Sequence, residues 1–207
     1  MLEQIQEIKD KIINLCSEQK EKKNSHDSKR SEENVEYALK WLSKKKFTTI
    51  DRDCSNKYSD SCIVLRNGQY KDEHQEYDHI VVSDRAVFLI ETKNYRGNFS
   101  LNEDGEWFKI GADGEKHIFT SPLMQIQRHH NLMESILENY NLPIYDVVCL
   151  AHKDNYIDNK QYFRFPIVRV ESLVTHIQDC YDRLSESTID MNEIAKTINN
   201  FKINAIY

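Results

Sequence analysis

Glu76-Tyr77-Asp78-His79-Ile80-Val81-Val82 and, a few residues later, Val87-Phe88-Leu89-Ile90-Glu91-Thr92-Lys93-Asn94 decide the fold. Ala86 to Ile90 is apolar on both faces, which predicts a central, buried strand. Glu91 and Lys93 follow at its end, and by the period of two they share a face with Val87 and Leu89. Tyr77 to Ser83 predicts a neighbouring strand, turned back through Asp84-Arg85. On it Asp78 shares a face with Ile80 and Val82, and His79 takes the other. Pairing these strands brings two carboxylates and an ammonium to one edge of the sheet.

Two carboxylates held together repel, and burying charge is costly unless it is compensated. A divalent cation compensates them well. Magnesium favours a few carboxylates plus waters, and its remaining positions accept phosphate oxygens. The spacing alone is better explained by a structural ion pair among Asp78, Glu91 and Lys93, and the catalytic alternative stays open here.

Outward from this segment, Ser31 to Lys44 predicts a helix with Ser31 as N-cap. Val35, Leu39 and Leu42 make its inner face, Ala38 and Trp41 flank it, and Glu32 lies one turn before Val35. Lys44, Lys45 and Lys46 end it, where they complement the helix dipole. Phe47 to Asp51 and Ser61 to Arg66 read as strands, the second running into a turn at Asn67-Gly68. Gly97 to Leu101 and Trp107 to Ile110 read as a hairpin around Asp104-Gly105. A helix opens at Ser121-Pro122, with proline at its first position, and runs to about Tyr140. Gln125 lies on one stripe with Leu132 and Ile136, so it faces inward and needs a partner. Val147 to Ala151 and Ile167 to Val170 are short strands. Ser172 to Leu184 and Met191 to Phe201 are closing helices.

Asp78-His79-Ile80-Val81-Val82, followed by Phe88-Leu89-Ile90-Glu91-Thr92-Lys93-Asn94-Tyr95-Arg96-Gly97, resembles the central signature of NERD (nuclease-related) domains, a branch of the PD-(D/E)xK nuclease superfamily. Glu32-Glu33-Asn34-Val35 with Leu39 resembles that family's opening helix. Trp107 stands where the family often has a tryptophan, and Ser121-Pro122-Leu123-Met124-Gln125 resembles its Asn-Pro-x-x-Gln helix start. Ser31 and Ser121 depart from the usual glycine and asparagine, and neither change removes a proposed catalytic group.

The resemblance, strongest over residues 31–151, implies an α/β fold with a restriction-endonuclease-like core: a mixed central sheet flanked by helices. It implies Asp78 and Glu91 as ligands of Mg2+ or Mn2+, with Glu32 as an auxiliary acidic ligand. Lys93 would be the catalytic lysine, and Gln125 would point into the site. The implied activity is hydrolysis of nucleic-acid phosphodiesters, DNA before RNA. The alternative is a binding module on a nuclease-like fold. Tyr95, Arg96, Arg128 and His129 are candidates for contact with nucleic acid.

Residues 1–30 read as a helix plus polar linker preceding a domain over 31–207. The stripe Leu2, Ile5, Ile8, Ile12 and Leu15 suits packing on the body or pairing of two chains through residues 1–18. The chain has 207 residues, 39% hydrophobic and 30% charged, as expected of a soluble globular protein. No apolar run approaches the ~20 residues of a membrane helix. The N-terminus does not read as a signal peptide, and five scattered cysteines suggest thiols in a reducing cytoplasm. A zinc site from Cys54, Cys62, His74 and His79 fits no common template. The net charge of −6 argues against a surface coated in positive potential, but a nuclease needs only a local basic rim. With no Gly-rich phosphate loop, any ATPase or helicase partner would be a separate chain.

Overall fold

The computed structural model of the chain describes residues 29–52, 62–66, 74–95, 97–111, 113–152 and 155–203. The expected N-terminal helix over 1–18, most of its linker, Cys16, Cys54, the Asn67-Gly68 turn and Arg96 lie outside those residues.

A five-stranded mixed sheet forms the centre, in the order β1 (Phe47–Thr49), β4 (His79–Ser83), β5 (Val87–Lys93), β9 (Ile144–Leu150), β11 (Ile167–Arg169). β4 runs antiparallel to both β1 and β5, whereas β5, β9 and β11 are parallel. β5 is central, as its two-faced apolar run requires: Val87 to Ile90 are all buried. Each such large side chain contributes about 1.5–3 kcal/mol on leaving water. Phe88 and Ile90 face a core closed by Val35 and Leu39 of helix α1 (residues 29–39) and by Leu173 and Ile177 of α3 (Val170–Asp182). Val87 and Leu89 face the opposite core, closed by Met133 and Ile136 of α2 (Leu123–Ile136) and by Ile194 and Ile198 of α4 (Met191–Asn200). The architecture is α/β with a mixed sheet between helices, as the resemblance implies.

The expected hairpin turns through Asp84-Arg85: Ser83 Oγ accepts from the amides of Arg85 and Ala86. A second sheet, in the order β10 (Asn155–Asp158), β6 (Gly97–Leu101), β7 (Trp107–Ile110), β8 (Lys116–Phe119), packs about a buried Trp107. Gly105 takes φ +74 in the β6–β7 turn, a conformation that favours glycine.

Four local expectations change. The single strand Tyr77 to Ser83 is two strands, because the chain bends at Asp78. Upstream of the bend, β3 (His74–Tyr77) leaves the central sheet and pairs with β2 (Ile63–Arg66), with Tyr77 opposite Ile63. Helix α1 is already helical at residue 29, so Ser31 is a buried residue within it rather than its cap. It ends at 39 in tight bonds, Trp41 N–H to Ala38 and Leu42 N–H to Leu39. Lys44 to Lys46 therefore form the turn into β1 and do not extend the helix. Pro122 caps α2 from outside and is not its first residue; Ser121 Oγ accepts from the amide of Leu123.

Candidate active site

The C-terminal end of β5 and the bend before β4 build the site. Glu91 is buried, and Lys93 follows two residues on, so both point to the α2 side, as Val87 and Leu89 do. The bend at Asp78 turns its carboxylate across the neighbouring strand, and the Thr92 amide donates to Asp78 Oδ2 at 2.7 Å. This bond ties Asp78 to the peptide directly after Glu91. Lys93 Nζ donates to Glu91 Oε1 at 2.6 Å and to Gln125 Oε1 at 3.2 Å. Asp78, Glu91, Lys93 and Gln125 thus come together from the bend, β5 and α2.

One turn beyond Gln125, His129 is buried. Its Nδ1 lies 3.7 Å from Glu91 Oε2, and that oxygen is buried with no hydrogen bond. The Tyr77 hydroxyl donates to the His129 carbonyl at 2.8 Å, and the two rings pack with centroids 4.5 Å apart.

The electrostatics follow from burial. The Asp78 carboxyl is held well above the usual range by desolvation and then by the Glu91 charge, against the Thr92 amide. Glu91 is also raised by desolvation, with Lys93 and the Gln125 amide opposing. Burial pulls Lys93 down, but the charge and hydrogen bond of Glu91 outweigh it and leave the ammonium more basic than usual. Desolvation lowers His129 to about 4 and His79 to about 3, so both imidazoles are neutral near pH 7. Asp78 and Glu91 set against Lys93 leave the group one positive charge short, and Glu91 Oε2 is an acceptor without a donor. That donor set fits a divalent cation, with Asp78 and Glu91 as the residues that would hold it.

Glu32 is placed differently from the expectation of a third metal-linked carboxylate. Its side chain is paired with the nearly buried guanidinium of Arg52, which also reaches Glu36 at 3.9 Å. Glu32 still acts at a distance, because its charge raises both Asp78 and Glu91. Among the described residues no three His, Cys, Asp or Glu side chains gather as a metal-ligand set; the suggested zinc group lies partly outside them, at Cys54.

The candidates for nucleic-acid contact separate as well. Arg128 is exposed on α2. His129, also a candidate for contact with nucleic acid, faces the interior because α2 leans its Ile126–Met133 stripe onto the sheet. Tyr95 is half-buried, and its ring packs against Phe99 at 5.0 Å and Trp107 at 5.5 Å, so it belongs to the second sheet's aromatic core. His79 is buried, in keeping with a packing role. The sequence reading missed Arg52, which follows β1 in a segment with no local signal beyond its own charge.

A mixed sheet whose central strand ends in Glu-x-Lys, with an aspartate brought alongside by a bend in the adjacent strand, defines a nuclease-related domain of the PD-(D/E)xK kind. The family model of the nuclease-related domain, NERD, matches residues 27–151, and the chain belongs to that family. An uncharacterized protein of Bacillus anthracis is 32% identical over 103 residues, which cover 48% of each chain. The chain thus spans about half the length of that curated relative. No solved structure matches it. Among the described residues no helix is long and apolar enough to cross a membrane.

Proposed function

We propose that this chain hydrolyses phosphodiester bonds of nucleic acid, DNA before RNA, with Mg2+ or Mn2+ held by Asp78 and Glu91. One observation carries the reading: Asp78, Glu91, Lys93 and Gln125 converge at the end of β5 with one buried glutamate oxygen unsatisfied. When bound, the cation supplies an activated water and neutralises charge developing on the phosphate. The remaining roles belong to the chain itself. The Thr92 amide fixes Asp78, and Gln125 steers the ammonium of Lys93. Lys93, kept protonated by its surroundings, orients the attacking water and meets charge in the transition state. Arg52 holds Glu32 away from the metal position, while the charge of Glu32 still helps to raise Asp78 and Glu91.

The test incubates purified protein with single- and double-stranded DNA and RNA in Mg2+, Mn2+ or EDTA, with Asp78→Asn as control. Metal-dependent cleavage by the wild type alone is the expected result. A protein that binds these polymers yet cuts none under any metal is a recognition module instead.

A further inference from the structure

We infer that a groove between α1 and α3 receives unpaired bases of the substrate strand, stacked on Tyr37 and Trp41, so that the substrate is single-stranded nucleic acid. The inference rests on the nuclease reading proposed above and deepens it. Helix α1 buries one face, through Val35 and Leu39, in the core. Tyr37 and, one turn on, Trp41 lie on another face and line the groove. Both large rings stay in solvent: Tyr37 is 62% exposed and Trp41 72%. Val170 and Val174 of α3, with Ala151 just past β9, add further apolar lining, and the groove has a volume of about 500 Å3.

The groove is continuous with the proposed site. Ala151 donates its amide to the Lys93 carbonyl at 3.0 Å. Burial pushes the neighbouring Cys149 thiol up to about 12, and the charges of Glu171, at the groove, and of Asp78 push it the same way, so groove and site meet at one residue. An apolar groove held open beside such a site marks a binding surface. Every base offers a flat π face, and stacking on an aromatic ring needs no particular sequence. In a duplex those faces are already covered by neighbouring bases, so exposed rings select a strand whose bases are free. The charges agree. Glu171 is paired with Arg169 at 3.3 Å, and Lys44 and Lys45 are exposed in the turn that follows Trp41, where they suit the phosphates of a strand stacked there.

The probes are short oligothymidylate and oligouridylate, added to the full chain in Ca2+ to prevent turnover. The chain has two tryptophans and Trp107 is fully buried, so emission quenched by contact with a ligand is that of Trp41. The expected result is quenching by at least one of these oligomers and none by a duplex of equal length. Trp41→Ala and Tyr37→Ala should each weaken binding about fivefold or more, read by anisotropy of a labelled oligomer, and Trp41→Phe should recover most of the loss. Single strands that bind in an Asp78-dependent manner without quenching Trp41 overturn the groove and leave the carboxylate site standing. A duplex that quenches as fully as a single strand overturns the inference. So does a Trp41 that acrylamide cannot reach in the free chain, since another part of the chain or a second copy then fills the groove. Binding of neither oligomer nor duplex overturns the inference and the nuclease reading together.

Discussion

Asp78 is a carboxylate drawn toward the interior beside a second one, Glu91. Its folded pKa lies well above its ordinary value, chiefly through desolvation and then through Glu91. The folded state thus holds a proton that the unfolded chain releases near pH 4. Stability from this group is present at low pH and is lost as pH rises from about 4 through the raised folded value. Asn cannot ionise and can still accept from Thr92. In EDTA, Asp78→Asn should be the more stable protein, by about 1 kcal/mol or more at pH 8. Its advantage should shrink toward pH 4, and saturating Mn2+ should reverse the order. Urea unfolding across pH with and without metal measures this; a mutant less stable than wild type in EDTA at pH 8 contradicts it. His79 behaves in the opposite sense. Burial and then Arg52 lower it to about 3, so its contribution is complete above about pH 6.5 and is lost as pH falls toward 3. At pH 5 the wild type should have lost about 2 kcal/mol through this group relative to pH 8. His79→Phe should lose correspondingly less over that interval in the same unfolding experiment.

Strand β5 and helix α2 are the elements that make a site from these residues, and Lys93 is where they meet. If Lys93 only neutralises Asp78 and Glu91, Lys93→Ala leaves two uncompensated carboxylates and costs about 3 kcal/mol. If it is catalytic, the same change removes cleavage by a hundredfold or more while nucleic-acid binding persists. Unfolding and cleavage measured on one preparation distinguish the two, and a destabilised mutant that still cuts would sink the catalytic role. Much of this pair of elements was legible in advance. Val87 to Ile90 are apolar on both faces, which only a central strand explains, and their period placed Glu91 and Lys93 on one side. The inward stripe of α2 likewise placed Gln125. What escaped reading depends on partners distant in sequence. β3, β8 and β10 are largely polar or exposed, and they become strands by pairing with β2, β7 and β6. The bend at Asp78 hides inside an unbroken pattern, because Tyr77 leaves one sheet while His79 enters another. Arg52 meets Glu32 only once α1 lies beside β1.

At the scale of the whole molecule, the proposed substrate is a polyanion and the protein is itself acidic, with a net charge of −6. Long-range attraction cannot therefore bring the two together as it does for a basic binding protein. The centre adds to the difficulty, since Asp78 and Glu91 outweigh Lys93 and the Glu32–Arg52 pair contributes no net charge. A bound divalent cation reverses the sign of the field where the phosphate must sit, and in a partly buried site that change is weakly screened. Affinity for DNA should then depend on metal even when no bond is cut. Fluorescence anisotropy of a labelled oligonucleotide makes the comparison, with Ca2+ or with Mn2+ and Lys93→Ala to prevent turnover. Binding should strengthen about tenfold or more over EDTA, as expected when one strong local charge replaces repulsion. The logarithmic dependence on salt should stay shallow, with a slope of about −2 to −4, because few basic side chains displace counterions. Equal affinity in EDTA together with a steep salt slope would place the contact on a basic surface away from Asp78 and Glu91. The carboxylate centre would then have no part in holding the substrate.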